Sequence, residues 1–151
     1  MKVKTPALCC IDVALTYLLY IYLKKSQTIK IGRLGKFHFE KGYYIYVGSA
    51  KKNLLKRIKR HRRKRKKKFW HIDYLLQYAE VKRVWISNFP EEKMALILSK
   101  KMEIPVLGFG SSDKKSKSHL FYGKIEKYLP RVLDRSEKKY AFFVITSPKA
   151  Q

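Results

Sequence analysis

The sequence predicts an α+β fold, built on a small three-stranded antiparallel sheet that is flanked by helices and followed by extra C-terminal elements. Strand-like segments come first, helical periodicity follows, and a last strand-like segment lies near the end of the chain. A length of 151 residues fits one domain, since domains commonly have about 100 to 150 residues. We therefore expect a single domain over residues 1–151, with its core at about 13–123 and an extension at about 124–151.

The three predicted strands lie within the first fifty residues. Residues 13–23 (VALTYLLYIYL) are apolar and aromatic without a break, which is typical of a buried central strand. Residues 28–34 alternate between polar and apolar, and we expect them to form an antiparallel hairpin with the first strand. Residues 43–47 (YYIYV) make the third strand, which ends at Gly48. The short turns between these segments suggest a small meander.

The periodicity becomes helical after the third strand. Asn53 is a suitable N-cap, and the apolar residues Leu54, Leu55 and Ile58 follow it on one helical face. The rest of this predicted helix is basic, because 11 of the 13 residues in 56–68 are Lys or Arg.

Shorter elements complete the prediction. Pro90 is suited to the first turn of a helix that we expect to run through Lys101, with acidic residues at its positive end. The other predicted elements are a short aromatic helix at 70–79, a strand at 81–87, a short apolar segment at 119–122, an amphipathic stretch at 125–133 and a last strand at 140–146.

Charge indicates the class of partner. The chain has 36 Lys and Arg against 11 Asp and Glu, a net charge of +25, which a polyanion explains most simply. We expect nucleic acid, DNA or RNA, and no membrane span, because the longest apolar run has 11 residues where a spanning helix needs about 20. The adjacent Cys9 and Cys10 favour a reducing, cytoplasmic compartment, since they provide neither spaced disulfides nor a CxxC zinc motif.

Four features are suited to phosphodiester chemistry. Tyr17 lies in the first predicted strand, and Tyr46 lies just before Gly48, where the backbone can approach a ligand closely. Arg57 and His61 are spaced i, i+4, so they share one helical face. An arginine can bind a phosphate through two parallel hydrogen bonds, and a tyrosine near cations is expected to have a pKa below its usual value of about 10.

The fourth feature is a pair of glutamates, Glu91 and Glu92, at the start of the later helix. A carboxylate can hold Mg²⁺ or Mn²⁺, hard cations that accept oxygen ligands and keep several waters. The simpler alternatives are core packing for Tyr17, a solvated position for His61, and an interaction with the helix dipole for Glu91. We also expect His71 to pack against Asp73 rather than to bind metal.

The predicted nucleic-acid interface follows from the basic run. So many like charges destabilise a helix, which favours contact with phosphates over simple solvation. The expected contacts are Gly48, Ser49, Lys56, Lys59, Arg60, Arg62, Arg63, Lys64 and Arg65.

The stretch YVGSAKKNLLKRIKRH, from Tyr46 to His61, resembles the second half of the GIY-YIG nuclease motif. Thr16–Tyr17–Leu18 lies where the first half would be, without its glycine. The segments GRLGKFHFEKGYYIYVGSA, WHIDYLL, GFGSSD and SHLFY resemble a small stand-alone branch of that superfamily. The resemblance extends over about residues 14–123.

This resemblance implies a three-stranded antiparallel sheet flanked by helices and a metal-dependent endonuclease whose nucleic-acid partner is DNA rather than RNA. It implies Tyr17 as a general base or water-orienting hydroxyl, Tyr46 near the attacked phosphate, Arg57 as the phosphate-stabilising arginine and His61 as an auxiliary residue. The metal ligand begins a later helix in the family, which implies Glu91, or failing that Glu92.

One difference from the family concerns spacing. The two motif tyrosines are 29 positions apart, more than is typical, so we expect an extra hairpin around residues 28–40.

Two binding functions without catalysis remain as alternatives. One is a nucleic-acid-binding protein, for DNA or structured RNA, that reuses the nuclease fold, and the other is a ribosome-associated RNA-binding protein.

Overall fold

A computed structural model describes residues 14–111 and 115–124, together with the backbone of 142–145. Its strands are β1 (Leu15–Leu23), β2 (Gln27–Ile31), β3 (Gly35–Phe39), β4 (Gly42–Ala50), β5 (Ala79–Ser87), β6 (Leu120–Tyr122) and β7 (Phe142–Ile145). Its helices are α1 (Leu54–Arg62), α2 (His71–Leu75) and α3 (Glu91–Lys101).

The main sheet is antiparallel and has the strand order β6-β4-β1-β5-β7. The central strand β1 pairs with β4 over its whole length and with β5 on its other edge. Strands β2 and β3 form a separate two-stranded sheet. The mixed α+β architecture with an antiparallel sheet is therefore confirmed, while the described sheet has five strands instead of the expected three.

Both faces of β1 are buried, because each is covered by different elements. One face, with Tyr17, Leu19 and Ile21, packs against α1, α2 and the β2–β3 hairpin. The other face, with Leu18 and Tyr20, packs against α3. This double covering explains why the sequence of β1 is apolar without alternation.

The expected hairpin between residues 28–34 and the first strand is wrong. These residues form β2 and a 3-10 turn at Gly32–Leu34, which leads directly into β3. The short turn brings β3 beside β2, while β4, with long runs of buried residues, takes the place beside β1. The extra hairpin expected around residues 28–40 is confirmed.

The basic run does not form one continuous helix. Helix α1 ends at Arg62, and Arg63 adopts an extended conformation. Crowded like charges oppose a longer helix at this point. Asn53 does precede α1, but it has a left-handed backbone (φ 58°) and its side chain makes no capping hydrogen bond.

The other predicted elements agree with the structure to within a few residues. The helix expected at 70–79 is shorter, because α2 has only five residues. Strand β5 and helix α3 lie where they were expected. The amphipathic stretch at 125–133, Cys9 and Cys10 fall outside the described residues. Within the described part of the chain, no helix is both long enough and apolar enough to span a membrane.

Candidate active site

A cleft of about 300 Å³ lies where β1 and β4 approach the starts of α1, α2 and α3. Four of the five expected catalytic and metal-binding residues line it, each from a different element: Tyr17, Tyr46, Arg57 and Glu91. The remaining lining residues are Gly48, Ser49, Phe69, Trp70, His71 and Gly110.

The position of Tyr17 depends on Gly48 in the neighbouring strand. The two residues are directly opposite each other in the β1–β4 register. A Cβ atom at Gly48 would lie 2.5 Å from the hydroxyl oxygen of Tyr17 and 2.7 Å from Cε2, closer than nonbonded atoms can approach. Only glycine therefore lets the Tyr17 ring lie across β4 toward the cleft.

Tyr17 and His61 form a buried hydrogen-bonded pair. The Tyr17 hydroxyl is 2.9 Å from His61 Nε2, and both residues are about 2% exposed. Burial raises the pKa of Tyr17, although nearby Arg57 acts in the opposite direction. Burial also lowers the pKa of His61 to about 4. Both groups are therefore neutral at pH 7, and the expectation of a lowered tyrosine pKa is wrong because desolvation outweighs the cations.

Tyr46 lies on β4 with its ring packed edge-on against Phe109 and His61, at centroid distances of 6.2 and 6.3 Å. Burial raises its pKa well above the usual value. A Cβ atom at Gly110 would lie 3.1 Å from the Tyr46 ring and 3.5 Å from its hydroxyl. The loop at Gly110 thus approaches Tyr46 closely and forms one wall of the cleft.

The Arg57 side chain is held by the backbone of Ser49 and by the Trp70 ring. One guanidinium nitrogen donates to the carbonyl of Ser49 at 2.6 Å, and the guanidinium carbon is 5.0 Å from the centre of the Trp70 ring. These contacts hold the planar group inside the cleft. A guanidinium has five N–H donors, so this arrangement is suited to binding a phosphate in the same place.

Glu91, the first residue of α3, is 14% exposed and reaches β4. Its Oε2 accepts a hydrogen bond from the Ser49 hydroxyl at 2.5 Å. Its Oε1 is 3.1 Å from His119 Nδ1. Glu92, the expected fallback, points to the other side of His119 and its side chain is 45% exposed. Of the two glutamates, Glu91 is the one that lines the cleft.

His119 was not among the expected site residues. It is fully buried, and its Nδ1 is 3.0 Å from the carbonyl oxygen of Val47, so this nitrogen must carry a proton. Its Nε2 is 3.0 Å from Glu92 and 2.7 Å from the Ser116 hydroxyl. Burial lowers the pKa of His119, but the hydrogen bonds to Glu91 and the other acceptors outweigh it and raise the pKa overall.

The sequence signal for His119 was a histidine directly after a Gly/Ser/Lys-rich loop. Its role could not be predicted because its acidic partners lie 27 and 28 residues earlier. The carboxylate of Asp73, which was expected to contact His71, is bound by Arg60. Instead His71 Nδ1 accepts a hydrogen bond from the Gly110 amide at 2.9 Å.

Asp73 binds Arg60 within the basic run and two backbone amides just after it. Arg60 binds both of its carboxylate oxygens at 2.9 Å. Burial raises the pKa of Asp73, but hydrogen bonds from Arg60 and from the amides of Phe69 and Trp70 outweigh it, so the pKa is lowered. Arg60 was expected to contact nucleic acid, and in the structure it connects α1 to α2.

Two further basic residues also make contacts within the protein. Lys64 donates to the carbonyl of Ala79 at 2.8 Å, and Lys66 donates to the carbonyl of His61 at 2.7 Å. Burial lowers the pKa of Lys66 to about 8, and burial also lowers the pKa of the half-buried Arg62. Among the expected phosphate contacts, the exposed cations are Lys56, Lys59, Arg63, Lys64 and Arg65.

A divalent cation would have few protein ligands here. Within residues 14–111 and 115–124, no group of three or more His, Cys, Asp or Glu side chains is arranged to hold a metal. Glu91 provides one carboxylate, whose oxygens have lone pairs beyond those used by Ser49 and His119. This donor set fits Mg²⁺ or Mn²⁺, which commonly bind one or two carboxylates and keep waters.

The chain was also compared with known proteins. Neither the curated proteins nor the solved structures include a match to it. The family described as "Domain of unknown function DUF123" matches residues 16–141, which include every residue of the cleft. Because this match covers most of the chain, the protein belongs to the DUF123 family.

Proposed function

We propose that the protein is a metal-dependent endonuclease that hydrolyses DNA phosphodiester bonds at a GIY-YIG-type site. The observation that carries the proposal is the convergence of Tyr17, Tyr46, Arg57 and Glu91 on one cleft. They come from four different elements, β1, β4, α1 and α3, and the resemblance to the GIY-YIG motif implies a role for each of them. A strongly basic segment follows α1 directly.

Arg57 binds and orients the scissile phosphate. Its guanidinium is already held by the Ser49 carbonyl and the Trp70 ring, so little side-chain entropy is lost when the substrate arrives. It neutralises the charge that develops on the phosphoryl oxygens in the transition state. Preorganised donors of this kind supply a large part of the rate enhancement in many enzymes.

Glu91 would hold the divalent cation, Mg²⁺ or Mn²⁺, and a cation bound there would polarise a phosphoryl oxygen and stabilise the leaving group. Ser49 donates to one oxygen of Glu91, and His119 lies within hydrogen-bond distance of the other. These contacts fix the direction in which the carboxylate points. The function of Glu91 therefore depends on β4 and on the segment that carries His119.

Tyr17 and His61 move the proton of the attacking water. Tyr17 takes a proton from the water while its own hydroxyl proton passes to Nε2 of His61, 2.9 Å away. The resulting hydroxide attacks phosphorus, the bond to the leaving oxygen breaks, and that oxygen takes a proton from solvent. A phosphate beside the pair adds negative charge, which raises the pKa of His61 and favours this transfer.

The first experiment compares two isosteric substitutions. Glu91→Gln keeps the shape of the side chain but removes the charge that holds the cation, whereas Glu103→Gln removes an exposed charge outside the cleft. Branched, nicked and duplex DNA are incubated with Mg²⁺ or Mn²⁺, and the products are resolved on gels. We expect wild type and Glu103→Gln to cleave at similar rates, and Glu91→Gln to be at least about 100-fold slower.

A parallel test concerns Arg57. Arg57→Ala is expected to slow cleavage by about 100-fold or more, while Arg83→Ala, an exposed arginine on β5, leaves the rate unchanged. Cleavage that survives unchanged in both Arg57→Ala and Glu91→Gln would show that the site assignment is wrong.

A second function is favoured by a specific observation. Glu91 is already engaged by Ser49 and His119, and the described residues provide no cluster of three metal-binding side chains. The same cleft would then bind a phosphate through Arg57 without hydrolysing it. In this case the protein is a non-catalytic binder of DNA or structured RNA. Tight, salt-sensitive binding without cleavage of any tested DNA or RNA would select this function.

A further inference from the structure

Phe69 is an apolar side chain held in an exposed position. It lines the cleft and is 78% exposed. Its backbone is fixed, because the amides of Phe69 and Trp70 donate to Asp73 Oδ2 at 2.8 and 2.9 Å, and Arg60 binds the same carboxylate. The fold therefore places this ring in the cleft despite the cost of exposing it to water.

The neighbouring Trp70 has a different function. The guanidinium groups of Arg57 and Arg60 lie over its ring, at 5.0 and 4.6 Å from the ring centre. Phe69 packs against Trp70 in a T-shaped arrangement, with ring centres 5.3 Å apart and planes at 90°. Trp70 thus connects the phosphate-binding arginine to Phe69, and Phe69 carries the large exposed aromatic surface of the cleft.

The charge around Phe69 narrows the class of ligand. The residues just before it are cationic, and Arg63, Arg65, Lys67 and Lys68 are exposed. A ligand that matches both features is anionic and carries a flat aromatic group, which describes a nucleotide. A base inside a duplex is already stacked on both sides, so only an unpaired or extruded base can stack on Phe69.

We propose that Phe69 is a stacking platform for an unpaired nucleobase next to the phosphate bound by Arg57. The preferred substrate is then a nucleic acid with an unpaired nucleotide at or beside the scissile bond. This inference rests on the proposed function, because it assumes that the same cleft receives the phosphate.

The test is a binding experiment without divalent metal, in EDTA. The probe is a DNA duplex with one unpaired 2-aminopurine, and its matched control is the same duplex fully paired. Phe69→Ala and Phe69→Leu are expected to weaken binding of the bulged probe about tenfold and to abolish quenching of 2-aminopurine fluorescence. Phe69→Trp is expected to keep the wild-type affinity for the bulged probe and the quenching, since tryptophan also provides a flat aromatic surface.

Leu107→Ala is the matched protein control. Leu107 is 69% exposed and lies outside the cleft, so its truncation is expected to leave both affinities unchanged. Thermal unfolding of each variant verifies that the fold is retained. The same bulged and paired probes made of RNA distinguish a DNA ligand from an RNA ligand. The ligand is the nucleic acid whose bulge preference depends on Phe69.

The result separates this inference from the proposed nuclease. If Phe69→Ala leaves both affinities unchanged, or weakens the bulged and paired probes equally, stacking on Phe69 is wrong even if cleavage is observed. If the bulge preference depends on Phe69 while no DNA or RNA is cleaved, the stacking platform stands and the nuclease function fails.

Discussion

The two faces of strand β1 are equally buried but differ in chemistry. On one face Tyr17 is hydrogen-bonded to His61 and lies against Gly48 in the wall of the cleft. On the other face Tyr20 stacks on Tyr43 at a centroid distance of 4.8 Å. The difference arises from the covering helices, since α1 brings ionisable residues to the first face and α3 covers the second with apolar residues.

The burial of a tyrosine does not by itself indicate its role. Tyr17 and Tyr20 are three residues apart in one apolar strand and have nearly the same exposure, 2% and 3%. Their partners come from other parts of the chain, and these partners are what make Tyr17, and not Tyr20, a proposed site residue.

The largest expected effect separates these two tyrosines directly. Tyr17→Phe removes the hydroxyl that bonds to His61, and we expect cleavage to slow by about 100-fold or more, because the proton path is lost. Tyr20→Phe keeps the stacked ring on the other face, and its cleavage rate should stay within about twofold of wild type. Single-turnover rates on one DNA substrate measure both. Equal rates for the two variants would remove Tyr17 from the mechanism.

The next effect concerns the contact between Tyr17 and Gly48. Gly48→Ala introduces a Cβ that meets the Tyr17 ring, and we expect the free energy of unfolding to fall by about 1–3 kcal/mol through overpacking. In the Tyr17→Ala background, the same Gly48→Ala substitution should cost little further free energy of unfolding, since the ring that collides is gone. A double-mutant cycle from urea unfolding measures this coupling. Additive losses would contradict the proposed contact.

Stability as a function of pH distinguishes the two buried histidines. The pKa of His61 is about 4 in the folded protein and 6.5 in the unfolded chain. Between pH 7 and 5 the unfolded chain therefore binds a proton that the native state does not, and His61 contributes a loss of about 1–2 kcal/mol as the pH falls. His119, whose pKa is raised, acts with the opposite sign, because its contribution is present at low pH and is lost as the pH rises through its folded pKa.

Urea unfolding at pH 7 and pH 5 measures this difference. We expect His61→Gln to flatten the pH dependence of the free energy of unfolding, and His119→Gln to make its decrease at low pH steeper. If both substitutions change the slope in the same direction, the charge states assigned to the two histidines are incorrect.

The smallest effect concerns the basic run. Arg65 is exposed, whereas Arg60 is bound to Asp73. Arg65→Ala should lower the slope of log K against log salt by about one without a loss of stability, because one phosphate contact is removed. Arg60→Ala should mainly reduce stability. Binding at several salt concentrations and thermal unfolding together distinguish the two arginines.

Local sequence was sufficient for much of the fold. The unbroken apolar strand β1, the start of α1 after Asn53 and the start of α3 after Pro90 all follow from short-range patterns. The arrangement of Arg57 and His61 on one helix also follows from spacing alone. The end of α1 at Arg62 was not predicted, because the run of Lys and Arg continues to Lys68 without a local stop signal.

The α+β class, the basic character and the residues that resemble the nuclease motif can all be predicted from the amino-acid sequence. Three features became visible only in the folded chain. Strands β4 and β5, rather than β2, flank β1, Tyr17 pairs with His61, and His119 lies between Glu91 and Glu92. These contacts join residues 19 or more positions apart. Such contacts are set by strand register and by the burial of whole faces, which no short stretch of sequence encodes.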